Sequence, residues 1–212
     1  MTFTRQEAFE QKLESRLPVI AIIRGESAGV DPAATLQWLA RSGIEMLEVT
    51  TNTPQWPDVV DQARQAGFAE VGVGTVLTGS HVTEAAAAGA TFTVAPGLDV
   101  DVVAACERAD IAHLPGVMTP SDIQQAIRVR MTLLKLFPAG SLGVDYLRSL
   151  QGPFDSVSFI PTGGVSVETA TTWLDAGAVA VGIGGKLFSN LSEERARTQE
   201  GLRRLAGRKP RD

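Results

Sequence analysis

Short apolar runs recur along the chain, and between them lie longer stretches in which apolar positions return every three or four residues. Eight of the runs have strand length: residues 19–23, 46–50, 71–74, 91–95, 112–115, 133–137, 157–161 and 179–183. They are rich in Val, Ile, Leu and Phe and show little polar alternation, as strands covered on both faces do. The stretches between them predict helices at residues 32–41, 55–65, 80–88, 99–108, 120–129, 143–150, 166–176 and 192–206. The first is expected to be capped by Asp31 with Pro32 in its first turn, the fifth to follow Thr119, and the last to open on Ser192. Glycines after Ala66, Ala88 and Ala176 mark helix ends, where a left-handed residue is needed and glycine supplies it cheaply. One more helix, about residues 5–15, precedes the first strand and is expected to cover one end of the structure.

Eight strand–helix units with short connections predict a parallel sheet closed on itself. The expected fold is therefore a single-domain (β/α)8 TIM barrel over residues 1–212, with residues 1–16 as an extra N-terminal helix and 207–212 as a polar tail. An open doubly wound sheet would place a glycine-rich nucleotide loop after its first strand. Here that strand runs into Ile23-Arg24-Gly25, with no G-x-G-x-x-G. The length of 212 residues suits a small barrel, and 44% hydrophobic content suffices for a continuous core.

Composition removes several function classes. The net charge of -5, with basic residues concentrated only in residues 203–211, argues against a nucleic-acid surface. No apolar run approaches a membrane span. The N-terminal stretch carries acids and lacks the apolar segment of a secretory signal, so a cytoplasmic location is expected. Cys106, the single cysteine, cannot form an intrachain disulfide, and its place beside Ala104 and Ala105 predicts a buried spectator thiol. His81 and His113 are the only histidines and lie far apart, so neither a metal site nor a cofactor is expected.

In a barrel the reactive groups stand at the C-terminal ends of the strands. Lys135 interrupts Leu133-Leu134-Lys135-Leu136-Phe137, where an ammonium is costly and its pKa should fall. A neutral amine can attack a ketone and form a Schiff base, whereas a lysine snorkelling at a strand edge would do nothing of the kind. Glu48 interrupts Met46-Leu47-Glu48-Val49 in the same way. It reads either as a general acid/base or as a structural partner of Lys135 or Arg24. Gly163-Gly164 and Gly184-Gly185 follow the seventh and eighth strands, the usual phosphate site of barrels, and Lys186 could add a charge there. Glycine pairs also serve as plain helix-entry turns.

Taken in order, several segments resemble the 2-keto-3-deoxy-6-phosphogluconate/4-hydroxy-2-oxoglutarate (KDPG/KHG) aldolases, including their phosphogalactonate branch. The carriers are the run from Leu17 to Gly25 (LPVIAIIRG), Leu47-Glu48-Val49-Thr50, Val73-Gly74-Thr75-Val76-Leu77, Ala95-Pro96-Gly97, Leu114-Pro115-Gly116, Lys135-Leu136-Phe137-Pro138-Ala139 and Pro161-Thr162-Gly163-Gly164-Val165. The resemblance implies a class I aldolase that releases pyruvate and glyceraldehyde 3-phosphate, needs no metal and forms a homotrimer. It implies Lys135 as the Schiff-base lysine and Glu48 as the acid/base. Thr75, Pro96 and Phe137 would line the pyruvate pocket, Arg24 and Thr75 would serve the carboxylate, and Gly163, Gly164, Gly184 and Gly185 the phosphate. Asn52 and Thr162 are further substrate-binding candidates. Asn52 stands where the phosphogluconate branch commonly has arginine, and Asn52-Thr53-Pro54-Gln55-Trp56 is closer to the phosphogalactonate branch. Lys186 stands where a serine is common.

Two other readings remain at this point. Small phosphate-binding barrels include isomerases, epimerases and synthases that work without a Schiff base. A barrel that has lost its chemistry is the third, and buried Lys135 and Glu48 speak against it, since an unpaired buried charge costs several kcal/mol.

Overall fold

The computed structural model describes residues 4–25, 32–188 and 192–207, without the side chains of Lys186, Ser192 and Glu193. The expected Asp31 cap and the Ser192 side chain thus lie outside the described residues. The strands are β1 (Val19–Ile23), β2 (Met46–Thr50), β3 (Glu70–Gly74), β4 (Phe92–Val94), β5 (Ala112–Leu114), β6 (Gly116–Val117), β7 (Leu133–Leu136), β8 (Ser158–Pro161) and β9 (Val181–Ile183). Between and around them run α1 (Arg5–Glu14), α2 (Pro32–Arg41), α3 (Trp56–Gln65), α4 (Gly79–Ala87) and α5 (Val100–Arg108). The second half carries α6 (Pro120–Arg128), α7 (Ala139–Leu142), α8 (Val144–Gln151), α9 (Val167–Asp175) and α10 (Ser192–Ala206).

Every strand ladder is parallel. Pairing runs β5-β4-β3-β2-β1-β9 in one sheet and β6-β7-β8 in another. Two seams join them into the expected barrel. A parallel bridge between Thr162 and Gly182 links β8 to β9. On the other side, chain continuity through Pro115 links β5 to β6, so one expected strand appears as two. Proline has no N–H to give to the ladder, which accounts for the interruption.

The period of two along each strand sorts the side chains into two layers. Val19, Ala21, Leu47, Val49, Val71, Val73, Leu134 and Leu136 face the surrounding helices in one continuous core. Ile20, Met46, Phe92, Leu114, Leu133 and Ile160 fill the barrel itself. Gly72 makes room there for the Phe92 ring, which a Cβ would overlap. Helix α1 closes this end of the barrel, as its position before the first strand predicts: Phe9 and Leu13 join the interior cluster, and the Phe9 and Phe92 rings are 4.6 Å apart.

Gln6, on the same helix, carries a role the sequence pattern did not reveal. β5 and β7 share no ladder at their N-terminal ends, and the Gln6 amide fills the gap. It donates to the carbonyls of His113 (2.6 Å) and Leu133 (2.9 Å) and accepts from the amides of Thr132 (2.9 Å) and Leu133 (3.2 Å). Three of these four bonds are buried, so Gln6→Leu would strand several backbone groups in a dry seam. The expected loss is on the order of 3 kcal/mol, read by chemical denaturation; an unchanged midpoint would show the seam to be held by other groups.

Helix starts follow local chemistry. Thr119 and Asp122 form a capping box at α6, and Asp99 caps α5. The helix expected at 80–88 begins one residue earlier, because the Thr78 hydroxyl accepts the His81 amide and so caps Gly79 as the first turn. α7 was not expected; Gly143, at φ 83°, separates it from α8. Among the described residues no helix is long and apolar enough to cross a membrane.

Candidate active site

The two-residue period that places Met46 and Leu133 inside the barrel also turns Glu48 and Lys135 inward, one step closer to the C-terminal mouth. Both are 2% exposed. Register puts Glu48 beside Ile22 and Gly72, and Lys135 beside Gly116 and Ile160. The Lys135 Nζ lies 4.9 Å from the centre of the Phe137 ring. Burial pushes the Lys135 pKa below its ordinary value; the Glu48 carboxylate pulls it back up, and the Arg24 cation pushes it down again. These couplings bring Lys135, Glu48 and Arg24 into one electrostatic unit at the barrel mouth.

Glu48 Oε1 is buried with no hydrogen-bond partner among the described residues. An oxygen poised to take and return a proton fits the observation. Gly74 is the reason it can sit there: a Cβ at that position would overlap Glu48 Oε1. The sequence signal was present in Glu70-Val71-Gly72-Val73-Gly74, where glycines inside a strand mark close approach of another group.

The other candidates fall around this pair. Arg24 is exposed at the end of β1. Asn52 is exposed, and its Oδ1 accepts the Thr50 hydroxyl at 2.5 Å. Thr75 has φ 59°, a left-handed conformation that is expensive for a β-branched residue and therefore held by its surroundings. Pro96 is exposed, with its carbonyl packed so closely on Gly116 that a Cβ there would overlap it. Thr162 is buried and its hydroxyl faces Gly182.

The glycine pairs stand side by side, because the Thr162–Gly182 bridge joins their strands. Gly163 and Gly164 have φ 86° and 80°. Gly163 packs against the Phe137 ring, and Gly164 against Gly140, leaving no room for larger residues. Gly184 and Gly185 open a short 3-10 turn, Gly185–Leu187. The Lys186 side chain lies outside the described residues, so its expected charge at this loop has no position.

The remaining ionisable groups in the core belong elsewhere. His113 faces outward from β5, its Nδ1 2.9 Å from the Thr93 hydroxyl, and burial lowers its pKa to about 4. Cys106 is buried 3.3 Å from the same hydroxyl, with its pKa raised by burial. Both are neutral residues of the wall between β4, β5 and α5, as expected for the thiol. Among the described residues no cluster of His, Cys, Asp or Glu could hold a metal ion.

Fold and site together define a (β/α)8-barrel enzyme built around a buried amine and a buried carboxylate. The chain belongs to the KDPG and KHG aldolase family, whose model matches residues 10–200, and is thus a lyase. It is 31% identical over 192 residues to the 2-dehydro-3-deoxy-phosphogluconate aldolase of Haemophilus influenzae, covering 89% of this chain and 88% of the relative. It is 29% identical over 180 residues to the 2-dehydro-3-deoxy-6-phosphogalactonate aldolase of Escherichia coli, covering 82% and 86%. The fold matches the crystal structure of the Legionella pneumophila KDPG aldolase with pyruvate captured as a covalent carbinolamine. That match has a TM-score of 0.72 and 25% identity, and covers 93% of this chain and 96% of the other.

Proposed function

We propose that the protein cleaves a phosphorylated 2-keto-3-deoxy sugar acid into pyruvate and glyceraldehyde 3-phosphate through a Schiff base on Lys135. The observation that carries this reading is the inward, desolvated Lys135 amine coupled electrostatically to the equally buried Glu48 carboxylate. The neutral amine adds to the C2 carbonyl, giving a carbinolamine that loses water to an iminium. Glu48 takes the proton of the C4 hydroxyl; the C3–C4 bond breaks, and its electron pair moves into the iminium, giving an enamine and the free aldehyde. The protonated Glu48 then returns a proton to C3, and water releases pyruvate and the amine. Arg24 and Thr75 hold the carboxylate, Phe137 and Pro96 bound the pyruvate pocket, and Asn52 and Thr162 contact the sugar chain. The two glycine pairs receive the phosphate on backbone amides, and Lys186 adds a positive charge.

Asn52 and the residues after it favour the galactonate-derived phosphate, while Lys135-Leu136-Phe137-Pro138-Ala139 and Pro161-Thr162-Gly163-Gly164 favour the gluconate-derived one. Measuring kcat/KM for both phosphates, and for unphosphorylated 4-hydroxy-2-oxoglutarate, decides between them. Cleavage of at least one phosphorylated epimer is expected, and cleavage of neither would overturn the reading. The same resemblance supports a cytoplasmic homotrimer, and exposed Leu77 and Met118 on loops beyond the strand ends, with exposed Val100 at the start of α5, offer apolar surface for it. A native mass other than three chains would reject that assembly.

A further inference from the structure

Strand β2 ends on Thr50, and the loop after it carries Thr51 and Thr53 on either side of the exposed Asn52. Thr50 and Thr53 are buried, and a buried hydroxyl is worth its desolvation only where it is bonded. The Thr53 Oγ1 donates to the Ile23 carbonyl at 3.3 Å and accepts the Gly25 amide at 3.2 Å. Those two groups belong to the peptide units immediately before and after Arg24. The Thr50 hydroxyl is also 3.1 Å from the Ile23 carbonyl. With both flanking peptides tied, the direction of the Arg24 side chain from β1 is set.

The same loop treats β3 in the same way. The Thr51 amide donates to the Gly74 carbonyl at 2.9 Å, and its hydroxyl donates to the Thr75 carbonyl at 3.0 Å. These groups flank Thr75, the residue held left-handed at φ 59°. The Val76 amide, on the far side, is tied to the Val94 carbonyl at 3.1 Å. One short loop, following directly on the strand that carries Glu48, therefore brackets the residue just past the end of each neighbouring strand.

We propose that Thr53 and Thr51 are positioning residues for the carboxylate subsite: their hydroxyls fix the backbone around Arg24 and Thr75, so that these two groups meet the substrate carboxylate while Glu48 stands between them. The proposal rests on the reading that Arg24 and Thr75 receive that carboxylate. It explains why a loop at the barrel mouth spends two hydroxyls on backbone groups rather than on substrate. Neither threonine touches the reacting atoms, so their loss acts on binding first. Because the Arg24 cation also lowers the Lys135 pKa, an unanchored Arg24 would move the acid limb of amine reactivity toward higher pH.

The test compares Thr53→Val, Thr53→Ser, Thr51→Val and Thr51→Ser in the full chain. Two quantities are read: the pyruvate concentration that gives half-maximal borohydride trapping, and KM against kcat for cleavage. Each valine variant should raise half-saturation and KM roughly 10-fold, with kcat changed about 3-fold or less, and trapping should still run to completion at saturating pyruvate. Each serine variant should stay within about 2-fold of the parent, because the hydroxyl survives. Valine variants with unaltered half-saturation would overturn the proposal; so would serine variants as impaired as their valine counterparts, which would assign the effect to the methyl group. Thr51 is only half-buried, so Thr51→Val keeps the test open if Thr53→Val fails to fold. A parent protein that pyruvate and borohydride do not label would instead refute the aldolase reading itself.

Discussion

Lys135→Met should leave a folded barrel that cannot be labelled by pyruvate and borohydride and that cleaves its keto acid roughly 10⁴-fold or more slowly. Methionine matches the length of the lysine stem and is apolar, so it suits a position 2% exposed between Leu134 and Leu136. What it removes is the amine, and with it the covalent electron sink. In the parent, reduction should add the mass of one pyruvate-derived group at Lys135. The pH dependence follows from the same environment. Burial is the largest influence on the amine and lowers its pKa from 10.5, so the neutral, nucleophilic form is present at pH values where an exposed lysine is fully charged. The rate of trapping should therefore rise with pH and level off below 10.5. A plateau reached only at or above that value would mean that the amine is not desolvated in solution. A Lys135→Met enzyme with parental activity would refute the nucleophile outright and return the phosphate-binding isomerase or synthase reading to the front.

The barrel and its buried Lys135–Glu48 pair were legible because two periodicities carry them. Apolar runs filled on both faces announced buried parallel strands, and a charged residue inside such a run stood out by its cost. The parity argument that turns Glu48 and Lys135 inward needs only Met46 and Leu133 as references, two residues away on the same strands. The features that stayed hidden are those in which a side chain serves a distant backbone. Gln6 lies on a polar helix and bonds to a seam 107 and 127 residues away; nothing local distinguishes it from a solvated glutamine. Thr51 and Thr53 look like ordinary loop residues until β1 and β3 are placed on either side. Gly74 was visible as a strand-end glycine, but its purpose depends on where the Glu48 carboxylate lies across the sheet. The division of one strand into β5 and β6 was readable in principle from Pro115, whose missing N–H limits pairing.

Glu48→Gln should separate proton transfer from Schiff-base chemistry. The substitution keeps size and hydrogen-bonding shape but removes the basic oxygen, so cleavage should slow about 10²- to 10⁴-fold while KM changes little. Pyruvate trapping should still go to completion at saturating pyruvate, since Lys135 remains. The sharper measurement is exchange of the pyruvate methyl protons in D2O, which requires only that a base remove and return a proton at C3 of the bound iminium. The parent should catalyse this exchange and the variant should lose it in step with cleavage. The charge change adds an independent signature. The Glu48 carboxylate raises the Lys135 pKa against the larger effect of burial, so its removal lets that pKa fall further. The pH at which trapping reaches half its maximal rate should accordingly move down in Glu48→Gln. Were Glu48 only a structural partner of the lysine, the variant would exchange methyl protons at the parental rate while losing stability. If it were the proton carrier, exchange would disappear from a protein that still binds pyruvate covalently.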